Sequence, residues 1–165
     1  MIILGIDPGT TRIGFGVISE ESIPGEGKKL KLIDYGIIEG KSKEELSKAI
    51  LENSKKLSEI IKKYKPDIAG IEKIFFSKNV KTGIAVAQNR GALILELVNN
   101  GVKVKELSPS EIKSLVTGYG MADKKAVSKM ASTILELKEG LKGYDDASDA
   151  VAIAIATSLS KNYGE

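Results

Sequence analysis

The stretch GYDDASDAVAIAIATSLS, Gly143 to Ser160, joins an acidic start to an apolar end. Its second half is rich in alanine and branched apolar residues, a composition typical of a helix buried in a core. Its first half carries the carboxylates Asp145, Asp146 and Asp149. Positions 146 and 149 are three apart and positions 145 and 149 are four apart, so either pair shares one helix face. We therefore expect a helix that lies close against the rest of the fold and brings acids with it.

These acids also have a purely structural interpretation. Asp145 or Asp146 could cap the amino end of the helix, where Asp149 would be stabilised by the helix dipole. For each acid taken alone, this interpretation is the simpler one. Like charges held together against a core would instead raise one another's pKa or require a cation.

Apolar runs and turn signals along the rest of the chain predict a mixed α/β fold. The predicted strands are Ile2–Asp7, Ile13–Ile18, Leu30–Glu39, Asp67–Phe76 and Val102–Leu107, with an exposed loop over Ser19–Lys29. The predicted helices start at Ser42 with a capping box to Glu45 and stop before Pro66, cover Lys81–Asn100, start at Ser108, cover Lys124–Lys138, and end with the opening stretch. Three strands in a meander, followed by alternating helix and strand, predict a mixed sheet with helices on its faces.

The composition excludes several classes of chemistry. The 165 residues are 42% hydrophobic and 28% charged, which suits one domain with an ordinary core. Absence of cysteine excludes disulfides and thiolate metal sites, and absence of histidine excludes histidine-based nucleophilic catalysis and imidazole ligands. The net charge of +3 is too small to establish a polyanionic partner. Without a basic leader or an apolar run of about 18 residues, we expect a cytoplasmic protein.

Two further acids, Asp7 and Glu72, end apolar strands. Either one alone is explained as a strand-end acid facing solvent or capping a helix. If their strands are parallel neighbours, they lie about 4.8 Å apart at the edge where functional groups gather. Joined by two acids of the last helix, they would suit Mg²⁺, which prefers oxygen ligands. Two such ions about 4 Å apart could clamp the attacking and leaving oxygens of a phosphodiester.

Four blocks of this sequence resemble the RuvC family of bacterial Holliday-junction resolvases, in order and spacing over essentially the whole chain: GIDPGTTRIGFGVI, IEKIFFSKN, KSLVTGYGMADK and DDASDAVAIAIA. The resemblance implies a single ribonuclease H-like domain over residues 1–165 with five strands, the first three antiparallel and the rest parallel. It implies a homodimer that binds four-way DNA junctions in recombination and repair. It also implies paired symmetric nicks made with Mg²⁺ or Mn²⁺, which leave 5′-phosphate and 3′-hydroxyl ends, and partnership with the RuvA and RuvB branch-migration proteins.

Carried over by motif, the resemblance implies that four carboxylates are the catalytic metal ligands: Asp7, Glu72, Asp146 and Asp149. The family's D-x-x-[D/H] pattern selects Asp146 over Asp145, which leaves Asp145 as a cap or a supporting residue.

The resemblance also places DNA contacts outside the acidic cluster. Phe75 matches a DNA-contacting aromatic, although a core position at a strand end is the alternative. Lys78 and Asn79 follow it as backbone contacts. Lys113 and Lys124 match basic residues that hold phosphates or stabilise transition-state charge, whereas a lysine taken at random in this chain would be a solvated surface residue.

Two other classes of protein stay open on the sequence alone. The stretch DPGT is also found in nucleotide-dependent kinases and actin-like ATPases, although those need two related domains around a cleft. A non-catalytic binding module with a ribonuclease H-like fold is the other alternative, and four matched acids argue against it.

Overall fold

A five-stranded sheet organises the chain. The structure, a computed structural model, describes residues 1–9, 12–25, 27–40, 45–74 and 80–160. The strands are β1 (Ile2–Asp7), β2 (Arg12–Ile23), β3 (Gly27–Glu39), β4 (Ile68–Glu72) and β5 (Lys103–Leu107). The helices in this part of the chain are α1 (Leu46–Tyr64), α2 (Val80–Asn99), α3 (Pro109–Thr117), α4 (Lys124–Ile134) and α5 (Asp145–Leu159).

The sheet has the order β3-β2-β1-β4-β5. β1 and β2 are antiparallel, as are β2 and β3, whereas β4 runs parallel to β1 and β5 runs parallel to β4. The predicted mixed sheet is thus confirmed. Because β1 and β4 are parallel neighbours, the strands that end in Asp7 and Glu72 lie side by side as expected.

Alternation along the strands divides the core into two layers. On one face, Ile3, Ile18 and Ile68 pack with buried residues of α3, α4 and α5. On the other face, Leu4 and Ile6 pack with buried residues of α1 and α2. No helix within the described ranges is long and apolar enough to span a bilayer.

Helix α5 lies against the sheet with backbone touching backbone. A Cβ atom on Gly5 would lie 2.0 Å from the carbonyl oxygen of Ala150, and one on Gly14 would lie 1.8 Å from the carbonyl oxygen of Asp146. Neither position has room for a side chain, and the α5 residues from Ala150 to Ala156 are buried. Glycine on the strands and alanine on the helix therefore produce the close packing that the sequence of α5 predicts.

The hairpin of β2 and β3 is longer than predicted. Residues 19–29 were expected to form a loop, but β2 continues to Ile23, which pairs with Gly27. The polar residues stay extended because they pair across the hairpin, as where Lys31 approaches Glu21 at 3.4 Å. Opposite charges on facing strands stabilise such a ladder without an apolar pattern.

Two predicted helix ends are wrong. Glu45 is the N-cap of α1 with extended backbone, so it cannot be the helical partner of a capping box on Ser42, which lies outside the described residues. Helix α4 stops at Ile134 rather than residue 138, because Glu136 adopts a left-handed φ of 55°. The capping box of Ser108 and Glu111 that opens α3 is confirmed.

Candidate active site

The strand ends supply the first two acids of the site. The parallel register pairs Ile6 with Ile71, so Asp7 and Glu72 follow at the carboxyl ends of neighbouring strands. Both are half-buried. Two residues earlier, Gly5 and Gly70 contact α5, and strand alternation therefore turns Asp7 and Glu72 toward the same helix.

The first turns of α5 supply the other acids. Tyr144 is the N-cap, with extended backbone and a carbonyl that accepts hydrogen bonds from Ala147 and Ser148. The expectation that Asp145 is the cap is therefore wrong, since Asp145 is already the first helical residue. Asp145 is exposed, whereas Asp146 and Asp149 are half-buried.

A cleft of about 320 Å³ brings most of the predicted residues together. Its charged lining consists of Asp7, Glu72, Asp149, Lys113 and Lys124. Asp146 lies beside this cleft and lines a neighbouring cavity of about 660 Å³. The four predicted carboxylates thus occupy two adjoining spaces that share the first turns of α5.

The acids act on one another electrostatically. Burial, followed by the charges of Glu72, Asp149 and Asp146, raises the pKa of Asp7 to about 7. Burial and the charge of Asp149 also raise the pKa of Glu72. Three elements of structure, β1, β4 and α5, therefore hold carboxylates that repel one another, and a cation would relieve this repulsion.

Two lysines offset part of this negative charge. The Lys124 ammonium donates to Asp149 at 2.7 Å, and this hydrogen bond is the main reason that the pKa of Lys124 is raised. Lys124 also lowers the pKa values of Asp7 and Glu72, and Lys113 lowers that of Glu72. The two lysines predicted from the sequence therefore face the predicted acids across the cleft.

Helix α2 supports the site with two residues that the sequence analysis left unassigned. Arg90 donates from Nε to the carbonyl oxygen of Glu72 at 2.8 Å. Asn89, fully buried, donates from Nδ2 to the carbonyl oxygen of Gly9 at 2.6 Å, just beyond Asp7. The signal that could have found them is the polar run Gln88, Asn89, Arg90 between two apolar stretches of α2, because a buried polar group needs a partner.

The donor chemistry of the acids fits a hard divalent cation, because every predicted ligand is a carboxylate oxygen. Within the described ranges, no group of three or more acidic side chains is assembled to hold an ion as it stands. One carboxylate oxygen of Asp149 accepts from the Lys124 ammonium.

Three predicted DNA-binding residues, Phe75, Lys78 and Asn79, lie outside the described residues. Their predicted roles rest on the sequence alone.

A mixed sheet with acids at the ends of β1 and β4, facing acids on a helix laid across the sheet, defines a ribonuclease H-like nuclease. The model of one protein family, described as crossover junction endodeoxyribonuclease RuvC, matches residues 3–157. The enzyme of that name from Caldicellulosiruptor saccharolyticus is 41% identical over 98% of this chain and 95% of its own.

Solved structures agree with this match. The Thermus thermophilus RuvC structure gives a TM-score of 0.85 at 28% identity, covering 96% of this chain and 94% of that one. T. thermophilus RuvC in complex with a Holliday junction substrate shares the fold, with a TM-score of 0.83 at 24% identity over the same shares of the two chains.

The chain belongs to the RuvC family of crossover junction endodeoxyribonucleases. It is therefore a nuclease, and membership implies dependence on a divalent metal ion. The kinase and non-catalytic alternatives are set aside because a nuclease family model and a nuclease relative each match nearly the whole chain.

Proposed function

We propose that this protein resolves four-way DNA junctions by hydrolysing one phosphodiester in each of two symmetric strands. The observation that carries the proposal is the cleft where acids of β1, β4 and α5 meet two lysines. The products would be 5′-phosphate and 3′-hydroxyl ends that can be resealed in recombination and repair. We place this activity in the cytoplasm, within one nuclease domain formed by residues 1–165.

Asp7, Glu72, Asp146 and Asp149 would hold Mg²⁺ or Mn²⁺, with two ions per site. When bound, the metal supplies Lewis-acid activation of the scissile phosphate and lowers the pKa of water. The carboxylates would fix the position of the metal relative to the strand ends. Asp7 must lose its proton to act as a metal ligand, because its pKa of about 7 leaves it partly protonated at neutral pH.

Lys113 and Lys124 would hold the phosphate and stabilise its developing charge. Lys124 is suited to exchange partners, because its side chain is largely exposed and its contact with Asp149 is a single ion pair. A phosphate oxygen could replace the Asp149 carboxylate as the acceptor of the Lys124 ammonium. Lys113 approaches the same cleft from α3, on the side of Glu72.

A basic groove continues from the cleft along α4. Lys125 and Lys129 are four residues apart, and both line a cavity of about 590 Å³ that also contains Lys124 and Asp149. We propose that this groove guides the DNA backbone toward the acids. Its electrostatic contribution to DNA affinity should weaken as the salt concentration rises. Phe75, Lys78 and Asn79 are further DNA contacts in this proposal, supported by the sequence resemblance.

A homodimer would explain paired nicks, with one site meeting each strand. Its support is a stripe on α2 whose members are exposed and recur at helical spacing: Ile84, Gln88, Gly91, Leu95 and Val98. Leu95 and Val98 expose 61% and 57% of their surface, which is unusual for apolar residues of a helix that also faces the core. Two such stripes can pack as an isologous helix pair.

Junction cleavage tests the enzymatic proposal. We expect the protein to nick a synthetic four-way junction at symmetric positions in Mg²⁺ or Mn²⁺, and to leave the linear duplex of the same sequence intact. Asp7→Asn should bind the junction without cutting it. Asp67→Asn is a matched control, because Asp67 lies at the opposite end of the same strands and accepts from the amide of Ile2. Cleavage by Asp7→Asn at the unvaried rate would overturn the metal assignment.

The dimer is tested separately by sedimentation. Leu95→Glu should convert a concentration-dependent dimer to a monomer, whereas Leu51→Glu should leave the dimer intact, since Leu51 is also largely exposed but lies on α1. A monomer at all concentrations of the unvaried protein would overturn this part. Partnership with RuvA and RuvB rests on the resemblance alone and predicts co-elution of the three proteins on junction DNA.

A further inference from the structure

Beside the acidic cleft lies a cavity of about 660 Å³ whose lining, apart from Asp146, has no role in the proposed hydrolysis. Its lining consists of Gly9, Arg12, Val86, Gly143, Tyr144, Asp145 and Asp146. The Arg12 guanidinium carbon lies 5.2 Å from the centroid of the Tyr144 ring. Asp146 is at once a member of this lining and one of the four proposed metal ligands, so whatever enters the cavity lies next to the reacting phosphate.

The backbone around this pair is fixed from both sides. Gly143 has a φ of 98°, a conformation that favours glycine, and it turns the chain so that Tyr144 projects from the amino end of α5. On the other side, the buried amide of Asn89 holds the carbonyl of Gly9, and Arg12 is paired with Glu39 in the sheet. An aromatic ring and a planar cation are therefore held at the mouth of the site on rigid elements, with 53% of Tyr144 exposed.

We infer that Arg12 and Tyr144 form a binding site for one nucleotide of the DNA strand, adjacent to the scissile phosphate. The Tyr144 ring stacks on a base or sugar, and the Arg12 guanidinium contacts the flanking phosphate. DNA is the occupant that the surroundings favour, because the cavity adjoins the proposed catalytic acids. Arg12 also supplies the positive charge that a phosphate needs beside Asp145 and Asp146. This inference rests on the junction-cleaving function proposed above and adds residues that position the strand.

Fluorescence of 2-aminopurine tests the stacking directly. The base analogue is placed singly at each of the three nucleotides on either side of the cut in a four-way junction, and Asp7→Asn protein is added so that binding is measured without cleavage. We expect a change in emission at one of these positions. Added to that background, Tyr144→Leu should abolish the change and weaken binding about fivefold or more, while Tyr144→Phe keeps both. A loss in Tyr144→Leu but not in Tyr144→Phe would show that the ring of Tyr144, and not its hydroxyl, stacks on the base.

The arginine is tested by salt dependence. Arg12→Gln should lower the slope of log Kd against log salt by roughly 0.7 to 0.9, the value of one phosphate contact. Lys63→Gln is the matched control, because Lys63 lies 4.6 Å above the ring of Tyr64 on α1, across the sheet from the acids. Arg12 and Tyr144 are both exposed, so Tm of each variant should equal that of the parent.

Unchanged emission and affinity in both Tyr144→Leu and Arg12→Gln would overturn this inference and leave the resolvase function standing, provided that the unvaried protein cleaves junctions. Equal effects of Arg12→Gln and Lys63→Gln would overturn it as well, since they would report net charge alone. Failure of the unvaried protein to cleave, together with failure of the Asp7→Asn protein to bind, would overturn both proposals.

Discussion

The two faces of the sheet are packed by opposite means. Against α5, the strands present Gly5, Gly14 and Gly16, where backbone meets backbone, and Gly70, which faces the side chain of Thr157. Against α1 and α2, the helices bury large side chains such as Leu57, Leu93 and Leu97. Large side chains bury more apolar area, but they hold helix and sheet apart. Small residues bury less and place the first turns of α5 within reach of the strand ends, and it is on this face that the acids meet.

The face with the larger side chains also serves the site, but indirectly. Fully buried Asn53 and Asn89 bond to each other at 3.3 Å, and Asn89 reaches Gly9 beyond the end of β1. Arg90, next in sequence, holds the end of β4. One face therefore carries the charged side chains, and the other fixes the backbone from which two of them project.

The largest expected effect on nicking comes from separating α5 from the strands against which it packs. Gly14→Ala places a Cβ 1.8 Å from the carbonyl oxygen of Asp146, and neither backbone can yield without moving α5. We expect nicking to fall about 100-fold or more, since displacements near 1 Å in a catalytic site have effects of that size. Junction nicking by folded protein, with folding checked by circular dichroism, measures this.

Leu57→Ala provides the contrast on the other face. It should lower the free energy of unfolding by about 2–5 kcal/mol, because Leu57 is fully buried. Nicking per folded molecule should change little, since Leu57 lies on the face of the sheet opposite the acids. Equal loss of nicking in the two variants would refute the separation of roles between the faces.

The second effect concerns the electrostatic repulsion between Asp7 and the neighbouring carboxylates, on the face of the sheet that packs against α5. Because the pKa of Asp7 is raised from 3.8 to about 7, the folded metal-free protein binds more protons than the unfolded chain between these values. Its stability should therefore fall as pH rises through that window. Asp7→Asn removes the charge and should raise Tm of the metal-free protein at pH 8 by roughly 3–10 °C. The same variant should gain little stability at pH 4, because Asp7 of the folded parent is then protonated and uncharged.

Mg²⁺ provides a second readout of the same variant. Added ion should raise Tm of the unvaried protein at pH 8, because it binds the folded state and relieves the repulsion. Asp7→Asn should lose most of this response. A variant that is less stable than its parent at pH 8 in the absence of metal would contradict the repulsion among these acids.

Sequence patterns predicted the fold on both faces because its signals are local. The apolar strands, the turn after Asp7 and the capping box of Ser108 each lie within a few residues. The pattern failed over residues 19–29, where an edge hairpin is held by pairing between polar side chains and carries no apolar signal. It failed at the start of α1 for a related reason, since Glu45 matched a capping motif by spacing while its backbone is extended.

The site was predictable in part. Strand ends gave Asp7 and Glu72, and family resemblance selected Asp146, Lys113 and Lys124. Spacing alone could not show that Asp146 and Asp149 line different spaces, because that depends on how α5 crosses the sheet. Nor could it reveal Asn89 and Arg90, whose partners are backbone atoms distant in sequence.

A smaller effect is expected from the lysine that crosses the cleft. Lys124 lowers the pKa values of Asp7 and Glu72, so its removal raises both. Lys124→Ala should therefore move the acid limb of the plot of nicking rate against pH to higher pH. It should also lower the maximum rate about 10-fold or more. Lys125→Ala, one residue along the same helix, should weaken junction binding, most strongly at low salt, while leaving the acid limb in place. An identical profile for the two variants would mean that Lys124 acts only as part of the basic groove.

The smallest effect is expected at the first turn of α5, where two neighbouring acids have different surroundings. Burial is the main cause of the raised pKa of Asp7, but the charge of Asp146 also contributes, so Asp146→Asn should move the acid limb to lower pH while lowering the rate about 10-fold or more. Asp145 is exposed and acts on Lys124, whose pKa is raised mainly by its hydrogen bond to Asp149. Asp145→Asn should therefore change the nicking rate by less than about threefold and leave the acid limb of the pH profile in place, because solvent screens the effect of this charge on its neighbours. Rates measured from pH 5.5 to 9 at saturating Mg²⁺ compare the two. Equal losses of nicking rate in the two variants would contradict the assignment of Asp146, rather than Asp145, as the metal ligand.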